Sequence, residues 1–354
     1  MRGRGDRLAG LLAEREVDRM LVTDLVNVRY LTGFTGTNGV CVCGAEERLL
    51  LTDFRYTERA AEETEGWGWE VVTIADDWLG GIAERLSGRV GFEDDQMSVR
   101  TRERLGARLS QEVELVPAGG TVEKLRRVKD ADELSSIAAA AELADDVWRW
   151  SLERGLAGRT EREVARAAEA RIRELGADPS FPAIVAAGPN GALPHAEPGE
   201  REIERDELVV FDMGAKLDGY CSDGTRTFAT GDPGEEARAV YETVREAQAA
   251  ALGAVEAGVG GEAVDAVARK VIDGAGHGDR FGHGVGHGVG LEVHESPRVS
   301  PRSEDVLEAG EVVTVEPGIY LPAKLGVRIE DLVVVTEDGH RNLSALSKEL
   351  QIVD

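Results

Sequence analysis

Three observations predict an α/β layer domain followed by a larger α+β domain. Apolar runs alternate with helix-like segments through the first third of the chain, and the breaker cluster Pro117-Ala118-Gly119-Gly120 then stops that rhythm. Beyond the cluster, capped helices precede strand hairpins and no βαβ winding follows. The expected domains are 1–120 and 121–354, with the seam somewhere in 118–128. A length of 354 residues supports two domains and at least one large core.

In the first domain the strand-like runs lie at 19–23, 39–43, 48–52, 69–74, 89–93 and 113–117. In the second, Asp130 followed by Glu133 reads as a helix start, with Leu134, Ile137, Ala141, Ala144 and Trp148 at helical spacing. Thr160 and Glu163 form a second capping box, ahead of an apolar stripe through Val164, Ala168, Ile172 and Leu175. Helices are also expected at 234–256 and 261–274, and strands at 207–213, 219–228, 311–316 and 327–335.

Composition narrows the function. With 41 Lys+Arg against 67 Asp+Glu, the formal charge is −26, and no basic stretch offsets it. That argues against nucleic acid and against an anionic membrane surface as partners. Only six of the basic residues are lysines, a pattern expected of a salt-adapted cytosol. Arginine-rich codon usage explains the bias but not the excess acid. Cys41 and Cys43 alternate in an apolar run and Cys221 stands alone, as expected for reduced, packed thiols. Charges interrupt any signal-peptide core near the N-terminus, and no uncharged run reaches membrane-spanning length, so a cytoplasmic protein is expected.

The segment ELVVFDMGAKLDGYCSDGTRTF (207–228) carries Asp212 and Asp223 within two apolar strand-like halves. If Leu217-Asp218 is the turn, the two acids oppose each other directly. If Asp218-Gly219 is the turn, Asp223 is a diagonal neighbour of Asp212 on the same face. Either register converges two carboxylates, which repel unless a cation lies between them. Two solvated acids on an open sheet face are the alternative; Val209, Val210, Phe211 and Phe228 oppose it. Glu316 ends an apolar strand before Pro-Gly, and Glu330 interrupts another. Four such acids balance two divalent cations. Their hard oxygens with a neutral imidazole suit Mn²⁺ or Co²⁺ and tolerate Zn²⁺ or Fe²⁺.

Asp212 and Asp223, then HGVGLEVHE, EPGIY and VRIED, in that order, resemble the pita-bread metallopeptidases, most closely the Xaa-Pro dipeptidase and Xaa-Pro aminopeptidase (prolidase, aminopeptidase P) branch. NVRYLTGFTGTNG (27–39) and LLLTDFRYTERA (49–60) are similar to the creatinase/prolidase N-terminal domain, and VEKLRRVKDADELSSIAAAAELAD to the link between the two domains. The resemblance implies a pita-bread catalytic domain with two divalent metal ions: Asp212 and Asp223 on one, His287 and Glu316 on the other, Asp223 and Glu330 bridging. It implies that His283 and His294 face substrate, that His195 in GPNGALPHAEP helps bind it, and that Arg328 lies near the site. A histidine in a glycine-rich loop can equally be merely exposed, and Arg328 merely a counter-ion.

The implied reaction is hydrolysis of the bond before proline in a small peptide with proline second, by a metal-bridging hydroxide. Glu316 would shuttle the proton, and His294 with one cation would stabilise the oxyanion. The branch also implies a homodimer. An ectoine hydrolase-like enzyme acting on another small amide and a catalytically silent binding relative are the alternatives. Creatinase lacks this metal set, and methionine aminopeptidases lack the added N-terminal domain.

Overall fold

The computed structural model describes residues 3–353. It divides into two compact units, with the seam between Arg126 and Arg127.

The first unit contains strands β1 (Arg19–Val22), β2 (Gly39–Gly44), β3 (Arg48–Thr52), β4 (Glu70–Thr73), β5 (Arg89–Phe92) and β6 (Glu114–Pro117). They form one mixed sheet in the order β4-β3-β2-β1-β5-β6. Its helices are α1 (Arg4–Leu11), α2 (Leu25–Thr32), α3 (Thr57–Glu63), α4 (Trp78–Ala83), α5 (Val99–Gly106) and α6 (Thr121–Arg127). Strand alternation supplies two apolar faces. Leu21, Val40, Val42, Leu49, Leu51 and Val90 meet Leu79 and Ile82 of α4 and Leu105 of α5 on one face. The intervening Met20, Cys41, Cys43 and Leu50 are also buried. The seam falls past the breaker cluster because α6 is bonded into this unit. Asn27 Nδ2 donates to Glu123 (2.5 Å), Arg126 donates to Asn27 Oδ1 (2.8 Å), and Tyr30 Oη to the Leu125 carbonyl (2.9 Å).

The second unit opens with α7 (Ala131–Leu152) and α8 (Glu161–Glu174), whose Asp130/Glu133 and Thr160/Glu163 capping boxes both form. Strands β7 (Asp178–Pro179), β8 (Ile184–Ala187), β9 (Leu208–Asp212), β10 (Ala215–Leu217), β11 (Tyr220–Cys221) and β12 (Thr225–Ala229) follow, then α9 (Gly234–Leu252) and α10 (Gly261–Gly274). Last come β13 (Gly286–Gly288), β14 (Glu295–Val299), β15 (Val312–Val315), β16 (Gly318–Leu321), β17 (Leu325–Arg328), β18 (Asp331–Thr336) and β19 (Gly339–Asn342). Two helix-on-sheet cores result. One packs α7 and α8 residues such as Trp148, Val164 and Ile172 against Val185, Val209 and Phe211. The other packs Val244, Val264 and Ile272 of α9 and α10 against Val313, Val327 and Val333.

The two cores are offset copies. Val164, Ala168 and Ile172 of α8 recur one hundred residues later as Val264, Ala268 and Ile272 of α10, all buried. The left-handed glycines recur too, Gly158 and Gly176 against Gly258 and Gly276. No helix among the described residues is long and apolar enough to cross a membrane.

Candidate metal centre

The acidic hairpin takes the second of its two registers. Leu217 pairs Tyr220 across Asp218 and Gly219, both in the left-handed region (φ 49° and 86°), and Asp212 pairs Thr225. Asp223 is therefore the diagonal neighbour of Asp212. It does not lie inside a strand as expected, nor does Glu330: each occupies a break, at 222–224 between β11 and β12 and at 329–330 between β17 and β18. The backbone packs so closely around the first break that only glycine fits beside it. A Cβ at Gly214 would lie 1.9 Å from the Ser222 carbonyl oxygen, and one at Gly224 2.8 Å from the Trp148 ring. The chain passes there from one sheet to the next, and Asp223 lies with His287 and Glu330.

Five of the expected residues converge. One donor atom each from Asp223, His287 and Glu330 falls within 4.8 Å of the others. The Nε2 of His287 lies 3.6 Å from Asp223 and 3.4 Å from Glu316. Its Nδ1 donates to the Gly288 carbonyl at 3.0 Å, which directs Nε2 at the carboxylates as the atom that would bind a cation once deprotonated. Asp212 Oδ2 accepts from Arg328 at 2.6 Å, while Oδ1 is buried without a partner among the described residues. Glu330 accepts from Thr225 Oγ1 at 2.8 Å, and Thr225 accepts from Arg328 Nε at 3.0 Å.

The electrostatics ask for positive charge. Burial, then the charge of Glu330 and of the other acids, pushes Asp223 well above the usual carboxylate range. Burial followed by Glu316 and Asp212 does the same to Glu330. Burial also raises Asp212, against the opposing pull of Arg328. Glu316 goes the other way. Burial lifts it, but the hydrogen bond and charge of His287 outweigh that and bring it down to about 2. His287 is raised correspondingly: burial lowers it, and Glu316 overcomes the burial. Four carboxylates, an imidazole and an unpartnered buried carboxylate oxygen fit hard divalent cations.

The other three expected histidines lie near this cluster on glycine-rich segments. The His294 ring is exposed and 4.4 Å from that of His287. His283 is fixed at both nitrogens, to the Gly284 carbonyl (2.8 Å) and the Tyr320 hydroxyl (2.9 Å). Burial lowers the pKa of both, and the charge of His195 adds to the lowering in each case. His195 itself is exposed on its loop. That loop is clamped at its base by Glu161, fully buried, which accepts from the Ala187 and Gly199 amides and from Asn190. Arg328 is buried, and its guanidinium reaches Asp212, Thr225, Tyr320 (3.0 Å) and the Pro194 carbonyl (3.1 Å).

Sequence reasoning missed three residues. Tyr320 ends the EPGIY motif and joins Arg328 to His283; its place in that motif was its only signal. The signal for Thr225 was its place two residues after Asp223 in the acidic hairpin. Arg298 carried none: it pairs His287 across β13 and β14, is exposed, and has no side-chain partner among the described residues. Its charge helps to lower His294, after burial and His287.

Residues 135–337 match metallopeptidase family M24, and residues 4–128 match the creatinase/prolidase N-terminal domain. An Xaa-Pro dipeptidase of Pyrococcus furiosus is 37% identical over 358 residues, covering 99% of this chain and 100% of the relative. An uncharacterised peptidase of Bacillus subtilis is 42% identical over 353 residues, 98% of this chain and 99% of that one. Among solved structures, an Xaa-Pro dipeptidase from Bacillus anthracis superposes with TM-score 0.96 at 38% identity, covering 99% of both chains. An X-Pro aminopeptidase from Thermotoga maritima gives 0.91 at 35%, covering 99% of this chain and 100% of that one. The chain belongs to metallopeptidase family M24: it is a metallopeptidase with a pita-bread α+β catalytic domain behind a creatinase/prolidase-type α/β domain.

Proposed function

We propose that this M24 metallopeptidase hydrolyses the peptide bond preceding proline in Xaa-Pro dipeptides. The observation that carries the reading is the convergence of Asp212, Asp223, His287, Glu316 and Glu330, with a free guanidinium, Arg298, on the strand beside His287. Asp212, Asp223 and Glu330 would hold one divalent cation, and His287, Glu316, Asp223 and Glu330 a second. Mn²⁺ or Co²⁺ suits this oxygen-rich set, with Zn²⁺ or Fe²⁺ next. Bound there, the cations supply a water of lowered pKa and a Lewis acid for the scissile carbonyl.

The chain's own groups supply the rest. Glu316 Oε1 lies within reach of the His287 side, where it can take the water's proton and return one to the proline nitrogen, which has no hydrogen of its own. His283 and His294, both with lowered pKa, are neutral near pH 7 and can exchange hydrogen bonds with substrate. Arg298 can pair with the free carboxylate that a dipeptide presents one residue past the scissile bond. That pairing favours dipeptides, because a longer peptide has its carboxylate elsewhere. The named activities of the Pyrococcus and Bacillus anthracis relatives support the same substrate class.

The test is a panel of Xaa-Pro dipeptides, Xaa-Pro-Yaa tripeptides and ectoine, assayed with Mn²⁺, Co²⁺, Zn²⁺ and Fe²⁺ at low and high salt. The expected outcome is fastest turnover on dipeptides. Turnover of ectoine alone, or of nothing, sinks the proposal.

A further inference from the structure

We propose that Asp265 and Arg269, one turn apart on α10, form a positioning pair that presets His283 for the reaction; this rests on the Xaa-Pro reading. Their side chains bind the backbone on both sides of His283. Arg269 Nη1 donates to the Phe281 carbonyl (2.8 Å), and Nη2 donates to the carbonyl of His283 itself. Asp265 Oδ1 accepts from the Val285 amide (3.0 Å). The pair is locked to itself, Arg269 Nε to Asp265 Oδ2 at 2.5 Å and Nη2 to Oδ1 at 3.1 Å. Residues 281, 283 and 285 alternate along one segment that bends at His283 and Val285 before entering β13 at Gly286. The pair therefore satisfies the backbone groups on this side of the segment.

The segment needs such an anchor. Gly282 and Gly284 flank His283, and a glycine-rich stretch loses most entropy on being ordered. Gly284 cannot be replaced by a stiffer residue, because a Cβ there would meet the Ser300 Cβ at 2.7 Å and the Val299 carbonyl oxygen at 2.9 Å. The anchor also reaches past His283. Arg269 lies over the Phe281 ring at 4.2 Å, and that ring meets His283 edge-on at 5.0 Å. The Val285 carbonyl accepts from the Glu316 amide at 2.7 Å, so the same segment holds the backbone of Glu316.

The offset copy shows that the pair is not a requirement of the fold. The buried stripe is shared, yet positions 165 and 169 of α8 hold Ala165 and Glu169 where α10 holds Asp265 and Arg269. Glu169 makes one bond to the equivalent segment, from the Ala183 amide at 3.1 Å. The copy without a histidine in this place manages with one anchor; the copy with His283 has three.

Arg269→Lys keeps the charge but loses the fork that reaches two carbonyls and a carboxylate together. In the metal-loaded enzyme, kcat/KM for Ala-Pro should fall about tenfold or more, with metal content retained. In a His283→Ala background the same substitution should cost several-fold less, because positioning His283 is then no longer part of its effect and only the hold on the Glu316 backbone remains. Hydrogen exchange of the 281–285 amides should quicken while α10 stays protected. Equal fold losses in both backgrounds, or unchanged exchange at 281–285, overturn the proposal. If the wild-type enzyme cleaves no Xaa-Pro dipeptide, the substrate reading falls, and the exchange measurement still decides whether the pair orders the segment. Asp265→Asn, which keeps shape and removes the acceptor charge, gives a second variant for the same measurements.

Discussion

Glu330 and Asp331 are adjacent and both buried, yet they face opposite electrostatic surroundings. Asp331 accepts from Arg226 (2.7 Å), Lys348 (2.7 Å), Asn342 (2.8 Å) and Gln248 (3.1 Å). Burial raises its pKa, but Arg226 and Lys348 outweigh burial and leave it below the usual carboxylate range. Glu330 accepts from a threonine, shares its surroundings with three other acids, and is pushed far up. Arg226 spans the two, because it also donates to the Glu330 and Leu346 carbonyls. The chain thus neutralises a buried carboxylate fully on one side of the junction and leaves several uncompensated on the other. The uncompensated side is where an external cation belongs.

The largest effect should come from the uncompensated side. Asp223→Asn should lower kcat/KM on Xaa-Pro dipeptides by about 1000-fold, several kcal/mol of lost transition-state stabilisation, together with metal content by elemental analysis. Full activity with full metal would erase the contrast. On the compensated side, Asp331→Ala leaves Arg226 buried without its partner and should cost about 3–5 kcal/mol in denaturant unfolding. Metal stoichiometry at saturating Mn²⁺ should survive; loss of metal with no loss of stability would show that both sides serve the site.

Stripping the metal should make the two sides respond oppositely to pH. Asp212, Asp223 and Glu330 have raised folded pKa values, while Glu316, held down by His287, does not. The contribution of those three is therefore complete below the unfolded value near 4 and is lost as pH rises through the raised values. Asp331 has a lowered pKa, so its contribution holds above about 4 and is lost only in acid. The stripped protein should melt lower at pH 8 than at pH 5, and added Mn²⁺ should restore more at pH 8, by a few kcal/mol. A Tm gap that shrinks as pH rises would contradict this. The smallest effect concerns the exposed cation. Arg298→Ala should lower kcat/KM for dipeptides about tenfold and leave tripeptides nearly unchanged, since Arg226 and Lys348 are already spent on Asp331 and cannot substitute. Equal losses on both substrates would remove Arg298 from carboxylate recognition.

The contrast also shows what could be read in advance. Both capping boxes and the buried helical stripes follow from local spacing, because caps and amphipathic faces are set within one turn; the expected metal-binding set came from the resemblance of its motifs to a known family. Strand alternation predicts that Glu330 and Asp331 face apart, although Glu330 in fact occupies the break before β18. The partners of Asp331 do not follow from local spacing, since Arg226, Gln248 and Lys348 come from three distant segments.

By itself the sequence determined the two-domain order, the kinds of elements and the convergence of Asp212 with Asp223, for which local backbone physics suffices; the full set of acids and histidines was legible only through the family resemblance. Only the tertiary structure decided the Asp218-Gly219 register, the breaks at Asp223 and Glu330, the free Arg298 opposite His287, and the grip of α10 on His283. Those depend on close approach between segments far apart in the chain, such as Gly214 against Ser222, where a single Cβ would force the backbone elsewhere.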